Sequence, residues 1–163
     1  ELQNMGIKVV MLTGDNEKTA NAIGKLAGVD EIVAGVLPDG KEKVVRTLKD
    51  KGKVMMVGDG INDAPCIAMA DVGISMGKLG SDVSKESADV LIINDKISSV
   101  AKAIKIAKKT KNIIYQNIAL ALIIKTLFII LGLFGVASIW EAVFGDVGVA
   151  LLALLNSMRI LKT

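Results

Sequence analysis

Between Asn112 and Ser157 only Lys125, Glu141 and Asp146 carry charge. The run NIALALIIKTLFIILGLFGV (117–136) is about 30 Å long as a helix, enough to cross the hydrocarbon of a bilayer. A short turn is expected at ASIWE, and AVFGDVGVALLALLNSM then supplies a second span, over about 140–158. A buried soluble helical hairpin is the competing reading, and the flanking charges argue against it. KISSVAKAIKIAKKTK (96–111) precedes the first run, Arg159 and Lys162 follow the second, and the turn between has neither Lys nor Arg. Both basic ends then lie on one face, the cytoplasmic one by the positive-inside rule.

The remaining composition narrows the chemistry. A net charge of +3 is too small to argue for a nucleic-acid partner. One cysteine excludes an intrachain disulfide framework and suits a reducing compartment. The absence of histidine excludes an imidazole base, a histidine triad or a histidine metal site. The start, ELQNMGIKVV, shows neither an initiator methionine nor a signal-peptide pattern and opens almost inside a strand, so a piece of something longer is expected.

Upstream of the basic segment the pattern is α/β. IKVVML (7–12), EIVAGV (31–36), KVMMVG (53–58), DVGISMG (71–77) and ADVLII (88–93) read as short buried strands. EKTANAIGKLAG closing on Gly28, KEKVVRTLKDKG and INDAPCIAMA read as the helices between them. Such alternation predicts a parallel sheet with helices on both faces, whose ligand lies beyond the carboxyl ends of the strands. TGD, LPDGK and GDGIND each follow a strand and are expected to converge there, LPDG as a turn. GKLGSDVSKES (77–87) is expected as a polar loop. SSVAKAIKIAKKTKNIIYQN reads as a long amphipathic helix, with Val100, Ala103, Ile104 and Ala107 on one face, that runs straight into the first span.

The three loops carry the residues that phosphoryl chemistry needs. Charge on a transferring phosphoryl group must be neutralised, commonly by Mg²⁺, which takes hard oxygen ligands. Asp59 at the tip of KVMMVG is the expected ligand, Gly58 and Gly60 allow a tight turn, and Asp63 lies near enough to support the ion. A helix cap is the competing role for Asp63. Asn62 can donate to an oxyanion, Thr13 and the adjoining backbone N–H groups can bind phosphate oxygens, and Lys41 supplies a cation.

TGDN, LPDGK and MVGDGINDAP resemble the phosphorylation domain of P-type ATPases, which has a haloacid-dehalogenase-like fold. The resemblance implies a Rossmann-type parallel sheet and an aspartate, in a DKTGT motif, that is phosphorylated by ATP. It implies catalytic roles for Thr13, Gly14, Asp15, Lys41, Asn62 and Asp63, with Thr13, Gly14 and Lys41 on the phosphate and Asp59 and Asp63 on Mg²⁺. DKTGT does not occur in these 163 residues, so the chain by itself is expected to be inactive. ATP is expected to be held mainly by a nucleotide domain that the sequence does not contain.

The charges within the apolar runs point to cargo. A charged side chain inside a bilayer is costly and is a functional hypothesis by default. Lys125 lies about 12 Å into the first span and Asp146 about 15 Å into the second, so in antiparallel helices the two can meet. A plain stapling salt bridge is one reading. The other makes Asp146 a hard-oxygen ligand for a transported divalent cation and Lys125 its built-in counter-ion, with Gly145 and Gly148 allowing close approach. NIALALIIK followed by GDVG resembles the zinc, cadmium and lead branch of the heavy-metal P-type ATPases, which places a lysine and an aspartate in these two spans. The copper branch uses Tyr-Asn and Met/Ser instead. NSMRI discriminates nothing, Tyr115 sits too near the interface, and Cys66 is expected as packing rather than as a metal ligand.

The expected organisation is a phosphorylation domain over 1–95, a basic linker helix over 96–116 and a transmembrane hairpin over 117–163. The expected partners are the actuator and nucleotide domains, earlier spans carrying a Cys-Pro-Cys pair, and the lipid membrane, expected to be the cell membrane with the phosphorylation domain and the C-terminus on its cytoplasmic side. The expected function is ATP-driven export of Zn²⁺, Cd²⁺ or Pb²⁺ through an aspartyl phosphate. The alternatives are a pump for Cu⁺ or Co²⁺ and a non-catalytic membrane-anchored remnant. A phosphatase of the same fold fails on the missing nucleophile.

Overall fold

A computed structural model describes residues 1–58, 61–77, 87–94 and 96–162. Most of the polar loop expected at 77–87, together with Asp59 and Gly60, lies outside the described residues. The chain divides into two compact units, Glu1–Ala101 and Lys102–Thr163.

Among the described residues of the first unit, five short strands alternate with three helices: β1 (Val10–Leu12), α1 (Glu17–Ala27), β2 (Glu31–Val33), α2 (Pro38–Lys49), β3 (Met55–Gly58), α3 (Ala64–Met69), β4 (Val72–Met76) and β5 (Val90–Ile92). All pairings are parallel. They form two ladders, β1–β2 with Val10 opposite Glu31, and β3–β4–β5 with Gly58 opposite Ser75. The strands are shorter than the apolar runs predict, because residues such as Ile7 and Lys53 flank the ladders without pairing in them.

Local chemistry sets the helix ends. Asn16 caps α1 by accepting the Thr19 N–H at 3.0 Å, and Gly28, at φ 67°, closes it as the sequence predicts. LPDG is not a turn: Pro38 opens α2, where a residue without an N–H costs nothing, and Gly40 and Lys41 lie in its first turn. Beneath α3, an added Cβ on Gly73 would stand 2.5 Å from the Ile67 carbonyl oxygen, so helix and strand can meet this closely only at a glycine. Val45, Ile67, Ile74 and Val100 are among the fully buried side chains.

An aspartate just before a strand repeatedly ties that strand to its neighbour. Asp30 accepts the Val9 N–H at 2.7 Å, Asp71 the Val54 N–H at 3.0 Å and Asp89 the Gly73 N–H at 2.8 Å. The Val9 N–H, then the Gln3 amide, holds the Asp30 carboxyl below its usual range. Lys53, then the Val54 N–H, does the same for Asp71. Carboxyls depressed in the fold lend stability that is complete above their unfolded pKa, about 4, and is lost as pH falls through the lower folded values. The midpoint of urea unfolding of this unit, followed by circular dichroism on the whole chain in detergent, is therefore expected to fall as pH drops from about 5 to about 2. Asp71→Asn should flatten that slope.

The second unit is built on α4 (Ser98–Leu133) and α5 (Ile139–Ser157), both long and apolar enough to cross a membrane. The first turn of α4 contributes buried Val100 and Ala101 to the first unit, Ala103 and Ile104 are half-buried, and Ala107 is exposed. The helix then continues unbroken, as expected, and ends at Leu133 rather than 136. The turn precedes ASIWE's end: Gly135 takes φ 71°, and Ser138 and Glu141 form a capping box that starts α5 at Ile139. Leu122, Ile129, Phe134, Phe144 and Leu155 are exposed around these helices, the pattern of a surface meant for lipid or other helices rather than water.

Candidate functional site

The loops after β1, β2 and β3 are laced together in sequence. Thr13 extends the ladder by donating its N–H to the Val33 carbonyl at 3.0 Å, and its own carbonyl accepts the Val36 N–H at 3.1 Å. Gly35 donates to the Asp15 carbonyl at 2.8 Å. Thr13 Oγ1 donates to Asp15 Oδ2 at 2.9 Å and accepts the Asp15 N–H at 3.2 Å, which closes the TGD turn on itself. An added Cβ on Gly14 would meet nothing nearer than the Val36 carbonyl oxygen at 3.4 Å, an ordinary contact. Packing among the described residues does not demand a glycine there.

Val36 leads directly into α2, whose first turn carries Lys41. The lysine reaches across to Asp63, with Nζ 2.7 Å from Oδ1 and both side chains less than one-fifth exposed. Asp63 stands at the N-cap position of α3, yet its side chain makes no cap hydrogen bond. It turns instead onto Lys41 and over the tip of β3, where a Cβ on Gly58 would come within 2.8 Å of Asp63 Cβ and 3.0 Å of Oδ2. Helix capping therefore does not account for Asp63, and Gly58 is needed to let it lie there. Asn62, on the intervening 3₁₀ turn Ile61–Asp63, is exposed. Ser75, opposite Gly58 in β4, is fully buried, and its hydroxyl has no hydrogen-bond partner among the described residues.

The structure thus brings Lys41, Asp63 and Gly58 together and ties Thr13 and Asp15 to the segment that launches α2. Asp59 lies outside the described residues, and among those described no cluster of three metal-ligating side chains occurs. Cys66 is buried on α3, and burial, followed by the negative charges of Asp63 and Glu42, pushes its thiol pKa up. A thiol kept neutral in this way is a poor metal ligand.

In the second unit Lys125 Nζ lies 3.0 Å from Asp146 Oδ1, an ion pair between two apolar helices. Lys125 and Asp146, both more than half exposed, line an open groove of about 520 Å³ together with Phe128, Ile129 and Val143. Beside the pair the helices touch: a Cβ on Gly145 would come within 2.1 Å of the Phe128 ring, whereas Gly148 has open space. Gly145 therefore serves helix contact. The sequence reading missed a polar cluster that Gln116, Asn117, Asn156, Ser157 and Arg159 form between the same helices. The NSMRI stretch was the available signal, since three polar residues adjoin an apolar run there.

Residues 1–71 match the haloacid dehalogenase-like hydrolase family. Over 99% of its length the chain is 55% identical to the zinc-transporting ATPase of Synechocystis sp. and 49% identical to the cadmium, zinc and cobalt-transporting ATPase of Bacillus subtilis. It covers 23% and 24% of those two proteins. The crystal structure of a zinc-transporting PIB-type ATPase in its E2·Pi state superposes on 98% of the chain with a TM-score of 0.90 at 40% identity, and the chain covers 26% of it. The chain spans about a quarter of the length of the curated relatives it matches.

Proposed function

We propose that the chain belongs to the metal-transporting P-type ATPases and supplies part of a phosphorylation site and the last two spans of a pump that exports a divalent heavy metal from the cytosol. The observation that carries the reading is the Lys125–Asp146 ion pair, set between two helices long and apolar enough to span a membrane. Asp146 offers a hard anionic oxygen to a divalent ion. Lys125 compensates that charge when no ion is bound and competes for it when one is. A carboxylate suits Zn²⁺, Cd²⁺, Pb²⁺ or Co²⁺ better than Cu⁺. Relatives named for cobalt as well as zinc and cadmium keep Co²⁺ among the candidates.

In the first unit Lys41 and Asp63 meet at the tip of β3, beside a bare glycine backbone. Hard carboxylate oxygens there fit Mg²⁺ as a donor set, with Asp59 as the direct ligand and Asp63 in support. Magnesium, when bound, would neutralise charge on phosphate oxygens. The protein's part is positional. The Gly14 backbone donates to phosphate oxygens, and the Thr13 hydroxyl, whose proton goes to Asp15 in this structure, turns to donate to them when phosphate is present. Asn62 donates to a developing oxyanion, and Lys41 presents a cation whose reach Asp63 fixes. The acceptor aspartate, the nucleotide domain and the actuator belong to other parts of the pump, and these 163 residues by themselves do not turn over ATP.

The same reading divides the chain into a phosphorylation domain (1–95), a linker helix (96–116) and a hairpin (117–163), with the linker coupling phosphorylation to movement of the spans. The unbroken helix from Ser98 to Leu133 supports that coupling. The lysines of 96–111 with Arg159 support a cytoplasmic position for both ends. ATP turnover by the full-length protein in lipid, with Zn²⁺, Cd²⁺, Pb²⁺, Co²⁺ and Cu⁺ supplied separately, tests the proposal. Stimulation confined to divalent ions is expected; stimulation by Cu⁺ alone would refute the cargo assignment.

A further inference from the structure

Midway along α4 and near the end of α5 that lies away from their connecting turn, the two helices are joined by hydrogen bonds. Asn117 Nδ2 donates to the Ala153 carbonyl at 3.2 Å and to Ser157 Oγ at 2.9 Å. Ser157 Oγ in turn donates to the same carbonyl at 2.8 Å. Asn117 Oδ1 accepts from Asn156 Nδ2 at 2.8 Å, which also donates to Gln116 Oε1 at 3.3 Å. Arg159 Nη1 donates to Asn156 Oδ1 at 2.9 Å and to Gln116 Oε1 at 3.4 Å. Both amide groups, nitrogen and oxygen, are engaged.

We propose that Asn117 and Asn156 are positioning residues that lock the register of α4 against α5 so that Lys125 arrives opposite Asp146. The inference rests on the ion-site reading of that pair. Lys125 lies about 12 Å along α4 from Asn117, and Asp146 lies about 10–16 Å back along α5 from the Ala153–Ser157 partners. Two polar contacts at matching heights define one register. Between them the facing side chains are apolar, and apolar contacts distinguish registers less sharply than hydrogen bonds do, so without the amides a slide of one turn, about 5.4 Å, becomes accessible. Such a slide would carry the lysine out of reach of the carboxylate. It is resisted because the slide breaks the hydrogen bonds of both half-buried amides at once. The Gly145–Phe128 contact, one residue from Asp146, supplies a steric mark by which register can be read.

The test uses the full-length protein in lipid with a photo-crosslinking benzoylphenylalanine in place of Phe128. Mass spectrometry then maps the residue captured on α5. Without further change, capture is expected at and beside Gly145. Asn117→Ala should move at least half of the capture about one turn along α5. It should also raise the zinc concentration for half-maximal ATP turnover about tenfold, with the maximal rate changing less than twofold. Asn117→Gln, which keeps both functional groups, should restore most of the capture at Gly145. Should Asn117→Ala fail to accumulate in membranes, Asn156→Ala and Ser157→Ala remove parts of the cluster and serve instead. Capture that stays at Gly145 in these variants would overturn the lock. Capture that moves while the zinc response holds would leave the lock standing and refute the role given to Asp146.

Discussion

Asp146→Asn is expected to raise the Zn²⁺ concentration that stimulates ATP turnover of the full-length protein by about two orders of magnitude or more. The substitution keeps the size of the side chain and removes its charge, so the helices still pack. What is lost is the anionic oxygen that a divalent ion needs, together with the partner that compensates Lys125. Loss even of outer-shell support for a metal typically costs about 10–100-fold in affinity, so loss of a direct ligand should cost more. An uncompensated cation then lies between apolar helices, which adds a further penalty unless the lysine reaches toward the interface. Lys125→Met tests the other half of the pair. With its competitor gone, Asp146 should bind Zn²⁺ more tightly and release it more slowly, so half-maximal stimulation shifts to lower metal while the maximal rate falls. If Asp146→Asn left the metal response intact, the pair would be a staple.

The second large effect is expected at Lys41. Lys41→Met should lower the rate of phosphoenzyme formation from ATP by about 10²–10³, the loss seen when one charge-stabilising group is removed from a transition state. Metal affinity in the membrane should not move, because the substitution leaves the hairpin untouched. The variant also leaves Asp63 half-buried without its partner 2.7 Å away, so a modest loss of stability in the first unit should accompany the kinetic effect. Asp63→Asn removes the tether and a carboxylate that supports Mg²⁺ together, so raised Mg²⁺ should recover part of its rate, whereas the loss in Lys41→Met should not respond to Mg²⁺. Equal phosphorylation rates in Lys41→Met and the unsubstituted protein would exclude the lysine from the site.

The elements that were legible from sequence share one property: local spacing decides them. Antiparallel geometry places residues by their distance from the turn, so counting along the two runs was enough to bring Lys125 and Asp146 together. The order of TGD, LPDGK and GDGIND after strands likewise follows from period alone. LPDG was misread because proline and glycine signal turns in general, and only the helical start at Pro38 shows that the proline opens α2. Asp63 was left between a cap and a site residue, since both roles ask for a carboxylate at a helix start. Its geometry over Gly58 favours the second role. Asp30, Asp71 and Asp89 could not be read, because each ties its strand to a residue 16–21 positions upstream. The Asn117–Asn156 cluster joins residues 39 apart and leaves no periodic trace in either helix.

The central claim is that the ion at Asp146 governs phosphorylation at the site that Lys41 and Asp63 help to build. The most direct measurement is hydroxylamine-sensitive phosphoenzyme formed from labelled ATP by the full-length protein in lipid, titrated with Zn²⁺, beside Asp146→Asn. Saturable, zinc-dependent phosphoenzyme that disappears in the variant is the expected result. Phosphoenzyme that forms equally without zinc, or equally in Asp146→Asn, would contradict the claim.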